Sequence, residues 1–73
     1  MLAKRNHLKI LGETIRSTRR KAGFSQESLA EKADLHHNYV GEIERGEKTA
    51  SVETLVKIAG ALKVRVRDLV ENL

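Results

Sequence analysis

Residues 26–45 read QESLAEKADLHHNYVGEIER, and their apolar positions predict two short helices around a tight turn. Two stripes at helical spacing lie in this stretch, the first formed by Leu29, Ala30 and Ala33 and the second by Val40 and Ile43. The small Ala30 can sit where two backbones cross closely. Asp34 falls between the stripes, and Asp tolerates the left-handed backbone of a turn better than most residues, although less freely than glycine. The pattern is therefore typical of a helix-turn-helix.

Together with the rest of the sequence, this stretch predicts five helices in all and no strand. The first three expected helices are residues 8–22 with Gly23 as stop, residues 26–33 capped by Ser25, and residues 37–44 ended by Arg45-Gly46. The fourth should start at Ser51 and carry a wide apolar stripe formed by Val52, Leu55, Ile58, Ala59 and Leu62, and a short fifth should cover residues 66–71. We therefore expect an all-α, compact five-helix domain over residues 1–73, with residues 1–7 as a flexible basic N-terminal arm.

Composition excludes several classes of protein. With 73 residues and no cysteine, the chain has neither a disulfide framework nor a thiolate metal site. Folding at this length buries only about 60% of the surface of the unfolded chain, so helix packing must suffice, helped by dimerisation. No apolar run approaches the length of a membrane span or of a secretory signal, and we expect a soluble cytoplasmic protein without membrane contact.

Positive charge is concentrated at the start of the chain. The formal net charge is +4. Residues 1–24 hold seven basic residues and one acidic residue, whereas residues 25–53 hold seven acidic and three basic ones. Because positive groups near phosphates release counterions, we expect much of any nonspecific affinity for nucleic acid to come from the first segment and from Arg45 and Lys48.

The predicted third helix has a polar face opposite its apolar stripe. At 100° per residue from Val40, the positions that fall outward are Asn38, Gly41, Glu42 and Arg45, with His37 at the edge, and His36 falls on the core side with Ile43. Asn can bond adenine in bidentate fashion, Glu can accept from cytosine, and Arg can pair with guanine or phosphate. Such a face suits sequence reading; the alternative is an ordinary solvated face.

Two residues of this helix suggest particular roles. Gly41 costs about 1 kcal/mol relative to alanine inside a helix. Either its missing side chain lets the backbone approach DNA, or the glycine is merely tolerated. Glu44 lies about 40° from the core direction by helical geometry, and Arg19 on helix 1 is a suitable partner. We predict a structural ion pair between Arg19 and Glu44.

The histidines do not predict a metal site. Adjacent positions such as His36 and His37 point about 100° apart on a helix, and no third ligand has suitable spacing. His37 either contacts a phosphate or base edge, in which case protonation strengthens binding, or is simply exposed. The chain shows no combination of nucleophile and base, and no phosphate loop, so we expect neither an enzyme nor a bound cofactor or small-molecule ligand.

Several separate blocks resemble one family. The blocks are Leu11-Gly12 with Ile15-Arg16 and Arg19, then residues 25–30 (SQESLA), then Tyr39-Val40 with residues 43–46 (IERG). Together they look like the Cro/lambda-repressor-like, or XRE-type, helix-turn-helix family over residues 8–70. Within it, residues 35–41 (LHHNYVG) followed by the Glu-Arg-Gly block are similar to the controller proteins of restriction-modification systems. The resemblance implies a lambda-repressor-like fold that binds double-stranded DNA.

The resemblance also assigns roles by position. It implies that Gln26 anchors a phosphate, that bases are faced by His37, Asn38 and Glu42, and that backbone contacts come from Tyr39, Arg45 and Lys48. His36 stands where Ser or Thr often caps helix 3, and we include it among the candidate DNA contacts. The family pattern also expects the buried pair of Arg19 with Glu44. The sequence departs from the pattern at Asp34, where glycine is common, and at Ala50, where proline is common.

The C-terminal end carries more apolar side chains than one short helix needs. These are Val64, Val66, Leu69, Val70 and Leu73. We expect a homodimer through this end, which would place two reading helices about 34 Å apart on a pseudo-palindromic operator. The alternative is that these side chains close the core of the monomer.

Two functions fit these observations. The first is a small, sequence-specific transcriptional regulator, acting as repressor or activator according to where its operator lies. The second is a protein-interaction module or antitoxin-type partner with the same fold, which the acidic middle segment favours slightly. Steep dependence on salt and on Asn38 would indicate DNA binding.

Overall fold

The structure is a computed structural model that describes residues 6–73. Within this range the chain forms five helices, α1 (His7–Lys21), α2 (Gln26–Ala33), α3 (His37–Glu44), α4 (Val52–Leu62) and α5 (Val66–Val70). No strand occurs among the described residues. The predicted all-α, five-helix architecture is confirmed. The predicted bounds of α2 and α3 match, whereas α1 lies one residue earlier than expected and α5 ends one residue sooner.

Local capping explains where the helices begin. The Ser25 hydroxyl accepts a hydrogen bond from the backbone N–H of Ser28, and the Ser28 hydroxyl accepts one from the backbone N–H of Ser25. This reciprocal arrangement satisfies two donors that a helix start leaves without partners. Ser51 caps α4 in the usual way, by accepting from the backbone N–H of Thr54. Asn6 caps α1 through its side-chain oxygen. Of the predicted arm 1–7, residues 1–5 lie outside the described residues, and Asn6 and His7 belong to the start of α1.

One hydrophobic core joins the five helices. α3 packs against α1 and α2, α2 packs on α4, and α5 packs against α1 and α4. The largest fully buried side chains are Ile15, Leu29, Val40, Ile43, Ile58 and Leu69. These come from all five helices, so the inner side of α3 lies against a continuous apolar core.

α4 corrects one expectation. Val52 was assigned to the apolar stripe of this helix, but it is 75% exposed, and Val56 one turn later is 55% exposed. The buried residues of α4 are Thr54, Leu55, Ile58, Ala59, Ala61 and Leu62. Val52 is the first residue of the helix and lies one turn before Val56, so the two share a face that points away from the core.

Gly12 explains how closely α1 and α3 approach. A Cβ atom on Gly12 would clash with the carbonyl oxygen of Ile43 and lie 2.5 Å from that of Glu44. Both obstacles are backbone atoms, which cannot rotate away. Gly12 therefore lets α1 contact the end of α3 directly, and no larger residue fits there without moving one of the two helices.

Candidate nucleic-acid interface

The turn between α2 and α3 is closed by local backbone bonds. Asp34 adopts the left-handed conformation, with φ 59° and ψ 50°. The N–H of Leu35 then donates to the carbonyl of Ala30 over 2.8 Å. Ala30 and Ala33 are buried beneath the turn. Asp34 thus does what glycine does at many helix ends, and the turn holds the start of α3 in one orientation.

His36 corrects the helical-wheel argument. It was assigned to the core side of α3, but it precedes the helix with an extended backbone, φ −70° and ψ 137°, and its side chain is exposed. Its Nδ1 atom accepts a hydrogen bond from the backbone N–H of Asn38 over 3.2 Å. His36 is therefore the N-cap of α3, the role that Ser or Thr commonly fills. Its ring stacks on that of His37, with the centroids 4.7 Å apart.

The outer face of α3 carries the candidate base-reading side chains. His37 and Asn38 are exposed at the first turn, and Glu42 is half-buried one turn later. Tyr39 is also half-buried, and its hydroxyl donates to the carbonyl of Thr49 over 3.1 Å. Asn38 and Glu42 therefore share the outer face of α3. His37 and Tyr39 lie at its two edges, since about 160° separates them around the helix.

Gly41 lies on this face but is covered. The sequence predicted it to face outward, open to a groove, whereas the structure shows it buried beneath the side-chain ends of two neighbours. A Cβ on Gly41 would lie 3.0 Å from Nη1 of Arg45 and 3.2 Å from Oε1 of Gln26. The glycine makes room for these two polar side chains, which single-helix geometry does not reveal because Gln26 comes from α2.

A buried polar cluster fixes α3 from behind. Arg19 donates to Glu44 through Nε (2.6 Å) and Nη2 (3.0 Å), and its Nη1 donates to the carbonyl of Phe24 (2.8 Å). Gln26 donates through Nε2 to the same Glu44 carboxylate over 3.0 Å. Glu44 therefore joins α1, α2 and α3 at one point. The structure pairs Arg19 with Glu44, and it adds Gln26, which the sequence had placed only at a phosphate.

Two ion pairs follow at the end of α3, one exposed and one partly buried. Arg45 donates through Nε to Glu47 over 2.8 Å and through Nη2 over 3.3 Å. This hydrogen bond raises the pKa of Arg45 and lowers the pKa of Glu47. Lys48 lies 3.6 Å from a carboxylate oxygen of Glu42. Both cations predicted to contact DNA at this end are therefore matched by carboxylates.

The predicted dimer residues divide into three groups. Leu69 is 1% exposed and packs in the core of the monomer, so it offers no surface to a partner. Val64, Val66 and Val70 are partly buried against that core, and Leu73 is 43% exposed. The exposed valines of α4, Val52 and Val56, were not among the predicted dimer residues. Their spacing of four residues could have identified them as a second apolar face.

The described range holds neither a membrane-spanning helix nor a metal-binding cluster. None of its helices has the length and apolar character needed to cross a membrane. Residues 6–73 also contain no group of three or more histidine, cysteine, aspartate or glutamate side chains that could hold a metal ion.

The chain matches a family model described as "Helix-turn-helix" over residues 15–69. It is 40% identical over 68 residues to control protein C.BamHI of Bacillus amyloliquefaciens, an alignment that covers 90% of this chain and 84% of that protein. It is 43% identical over 60 residues to control protein C.SmaI of Serratia marcescens, covering 82% and 71%. The crystal structure of the restriction-modification controller protein C.AhdI from Aeromonas hydrophila superposes with a TM-score of 0.84 at 39% identity, covering 85% of this chain and 94% of that one.

Proposed function

The chain belongs to the XRE-type helix-turn-helix family of DNA-binding transcriptional regulators, and on that basis we propose that it reads a specific operator with α3 in the major groove. Its similarity to two control proteins and to C.AhdI supports a controller of a restriction-modification system. As a member of this family the chain is a regulator of transcription and not an enzyme. The observation that carries the proposal is the outer face of α3, where His37, Asn38 and Glu42 project from a helix whose inner side is locked.

Base reading is assigned to the first two turns of α3. Asn38 can donate to and accept from an adenine edge, and Glu42 can accept from the amino group of cytosine. His36 and His37 stand at the start of the helix, where they can meet a base edge or a phosphate. Because recognition helices of this kind contact bases chiefly through their N-terminal residues, Asn38 is the first residue to test.

Phosphate contacts are assigned to side chains around this face. The Gln26 amide has a second N–H besides the one that Glu44 accepts, and this donor can bind a phosphate. Lys48 can exchange the 3.6 Å contact with Glu42 for a phosphate. Tyr39 would have to give up its bond to the Thr49 carbonyl to do the same. Arg45 is a further contact, on either a phosphate or a guanine.

A homodimer would present two copies of α3 to an inverted repeat. Its support is the apolar surface that one protomer leaves uncovered, namely Leu73 and the half-buried Val64, Val66 and Val70 at the C-terminal end, with Val52 and Val56 on α4. In a symmetric dimer the two reading helices would lie about 34 Å apart, one turn of DNA. Sedimentation of the wild type and of Leu73→Asp and Val56→Asp variants at tens of micromolar tests this. A monomeric wild type would contradict the dimer.

The function is tested by selecting bound sequences from a random duplex library. Wild type, Asn38→Ala and a control, Ser17→Ala on the exposed part of α1, are carried through in parallel. We expect an enriched inverted repeat for the wild type and the control, and a repeat that is lost or relaxed for Asn38→Ala. Affinity for the enriched duplex should fall steeply with salt. Folded wild type that enriches nothing would contradict the proposal and favour the protein-interaction module.

A further inference from the structure

The guanidinium of Arg45 folds back along α3. Its Nη1 lies 3.0 Å, and its Cζ 3.7 Å, from the point that a Cβ on Gly41 would occupy. Arg45 follows Glu42 by three residues and Asn38 by seven, so it shares their helix face. Its side chain therefore lies on the face assigned to base reading, in space that Gly41 leaves open.

Glu47 holds one edge of this guanidinium. The Glu47 carboxylate accepts from Nε over 2.8 Å and from Nη2 over 3.3 Å. These two bonds fix the plane of the group, since a bidentate pair leaves it little freedom to rotate. The adjoining edge, formed by Nη1 and the second N–H of Nη2, carries two parallel donors. Two parallel donors match the O6 and N7 acceptors of guanine in the major groove.

The turn that carries Glu47 is itself fixed. Gly46 has a φ of +76°, and the N–H of Glu47 donates to the carbonyl of Glu42 over 2.9 Å. A Cβ on Gly46 would lie 3.0 Å from the backbone of Lys9, so the turn rests against α1. The backbone of Glu47 is therefore held to α3 by its own hydrogen bond, and the preceding Gly46 packs against α1. The carboxylate of Glu47 accepts from Arg45.

The charge of the Arg45–Glu47 pair favours a guanine over a phosphate as the group that Arg45 binds. The Arg45 guanidinium and the Glu47 carboxylate together carry no net charge, and the carboxylate would repel a phosphate brought to the same place. A guanine edge is uncharged and suffers no such repulsion. We propose that Arg45 reads a guanine in each half-site and that Glu47 is the positioning residue that presents it, an inference that rests on the proposed function and deepens it.

The proposal is tested with a random duplex library and four proteins, the wild type, Arg45→Ala, Arg45→Lys and Lys48→Ala. For the wild type we expect a G·C pair in each half-site whose replacement by A·T weakens binding by about fivefold to 150-fold. Both Arg45 variants should lose that preference and keep the other positions of the motif, because lysine lacks the planar pair of donors. Lys48→Ala is the matched control for a phosphate contact and should weaken all duplexes alike.

The Glu47→Gln variant tests whether Glu47 positions the Arg45 guanidinium or only stabilises the fold. We expect the preference for that G·C pair to fall at least threefold while affinity for unselected duplex rises, because the carboxylate that repels phosphate is gone. Glu47→Asp keeps the charge and should restore part of the preference. Circular dichroism of each variant confirms that the helices are retained, since Arg45 and Glu47 are both exposed.

Three results would overturn the inference. If Arg45→Ala weakens every duplex by one factor and leaves the motif unchanged, Arg45 binds phosphate, and only this inference fails. If Arg45→Lys or Glu47→Gln retains the full guanine preference, the positioning by Glu47 is wrong. If the wild type enriches no motif, the proposed function fails, and the inference fails with it.

Discussion

Glu44 and Arg45 are neighbours in the chain, yet their ion pairs lie in different surroundings. The side chains of Arg19 and Glu44 are 9% and 2% exposed, whereas those of Arg45 and Glu47 are 57% and 54% exposed. One step of about 100° around α3 separates the two sites. In the buried pair each charge depends on its partner because water cannot replace it. In the exposed pair water or DNA can replace the partner. The same pairing of arginine with glutamate therefore stabilises the fold at Glu44 and is available for recognition at Arg45.

Removing the buried carboxylate should have the largest effect. Glu44→Ala leaves the Arg19 guanidinium buried with only the Phe24 carbonyl and removes the acceptor of Gln26. We expect the free energy of unfolding to fall by about 3–5 kcal/mol, a large part of the stability of a domain this small. Urea denaturation followed by circular dichroism measures it.

Glu47→Ala is the matched control for this loss. It removes a carboxylate that is also paired with an arginine, but an exposed one, and its denaturation curve should coincide with that of the wild type. Equal stability of Glu44→Ala and the wild type would refute the contrast between the two pairs.

Two Gly→Ala substitutions should change the stability in opposite directions, one at position 12 of α1, where that helix contacts α3, and one at position 41 on the outer face of α3. In Gly12→Ala the new Cβ meets backbone carbonyls of Ile43 and Glu44, and overpacking should cost about 1–3 kcal/mol. In Gly41→Ala it meets only side-chain ends, those of Arg45 and Gln26, which must shift by a few tenths of an ångström. The gain in helix propensity should outweigh this cost and stabilise the protein by less than about 1 kcal/mol.

Gly60→Ala supplies the reference for these two variants. Gly60 lies within α4, and nothing lies within 4 Å of the position its Cβ would take. Its substitution reports helix propensity alone. Thermal melts of the three proteins should rank Gly60→Ala highest and Gly12→Ala lowest, and the idea that backbone contact excludes a side chain at position 12 would be wrong if Gly12→Ala ranked with the others.

The smallest predicted effect is a change in stability at low pH, where Glu47 of the exposed Arg45–Glu47 pair becomes protonated. Because the hydrogen bond from Arg45 lowers the pKa of Glu47, the pair contributes stability above the ordinary pKa of a glutamate and loses it as the pH falls through the lowered value. That contribution is small because both side chains are more than half exposed. An NMR titration of the Glu47 carboxyl should show the lowered pKa in the wild type and a higher one in Arg45→Ala. Identical titration curves would show that the pair does not persist in solution.

The sequence predicted the bounds of α2 and α3 as the structure has them because their signals are local. Ser25 and Gly46 mark ends that depend on backbone hydrogen bonds only a few residues apart, and the apolar spacing between them marks the buried faces. The angular argument also placed Glu44 near the core, since a single helix of known pitch fixes which side chains point inward, whereas Arg19 was chosen as a partner available on helix 1 and expected from the family pattern. The predictions that the structure corrects, at Val52, His36, Gly41 and Leu69, each concern a residue whose surroundings come from another element or from a helix end.

The sequence thus sets which residues form helices and where the charges stand, whereas the packing of the helices sets which side chains are buried. Periodicity and capping are enough to specify five helices, a left-handed turn at Asp34 and a polar face on α3, because each depends on contacts within a few residues. Which polar side chains lose their water depends on how α1, α2 and α3 meet at Glu44, and the sequence spacing does not encode that distance. Tertiary packing alone therefore buries the Arg19–Glu44 ion pair where three helices meet and leaves the Arg45–Glu47 pair on the surface that we propose reads DNA.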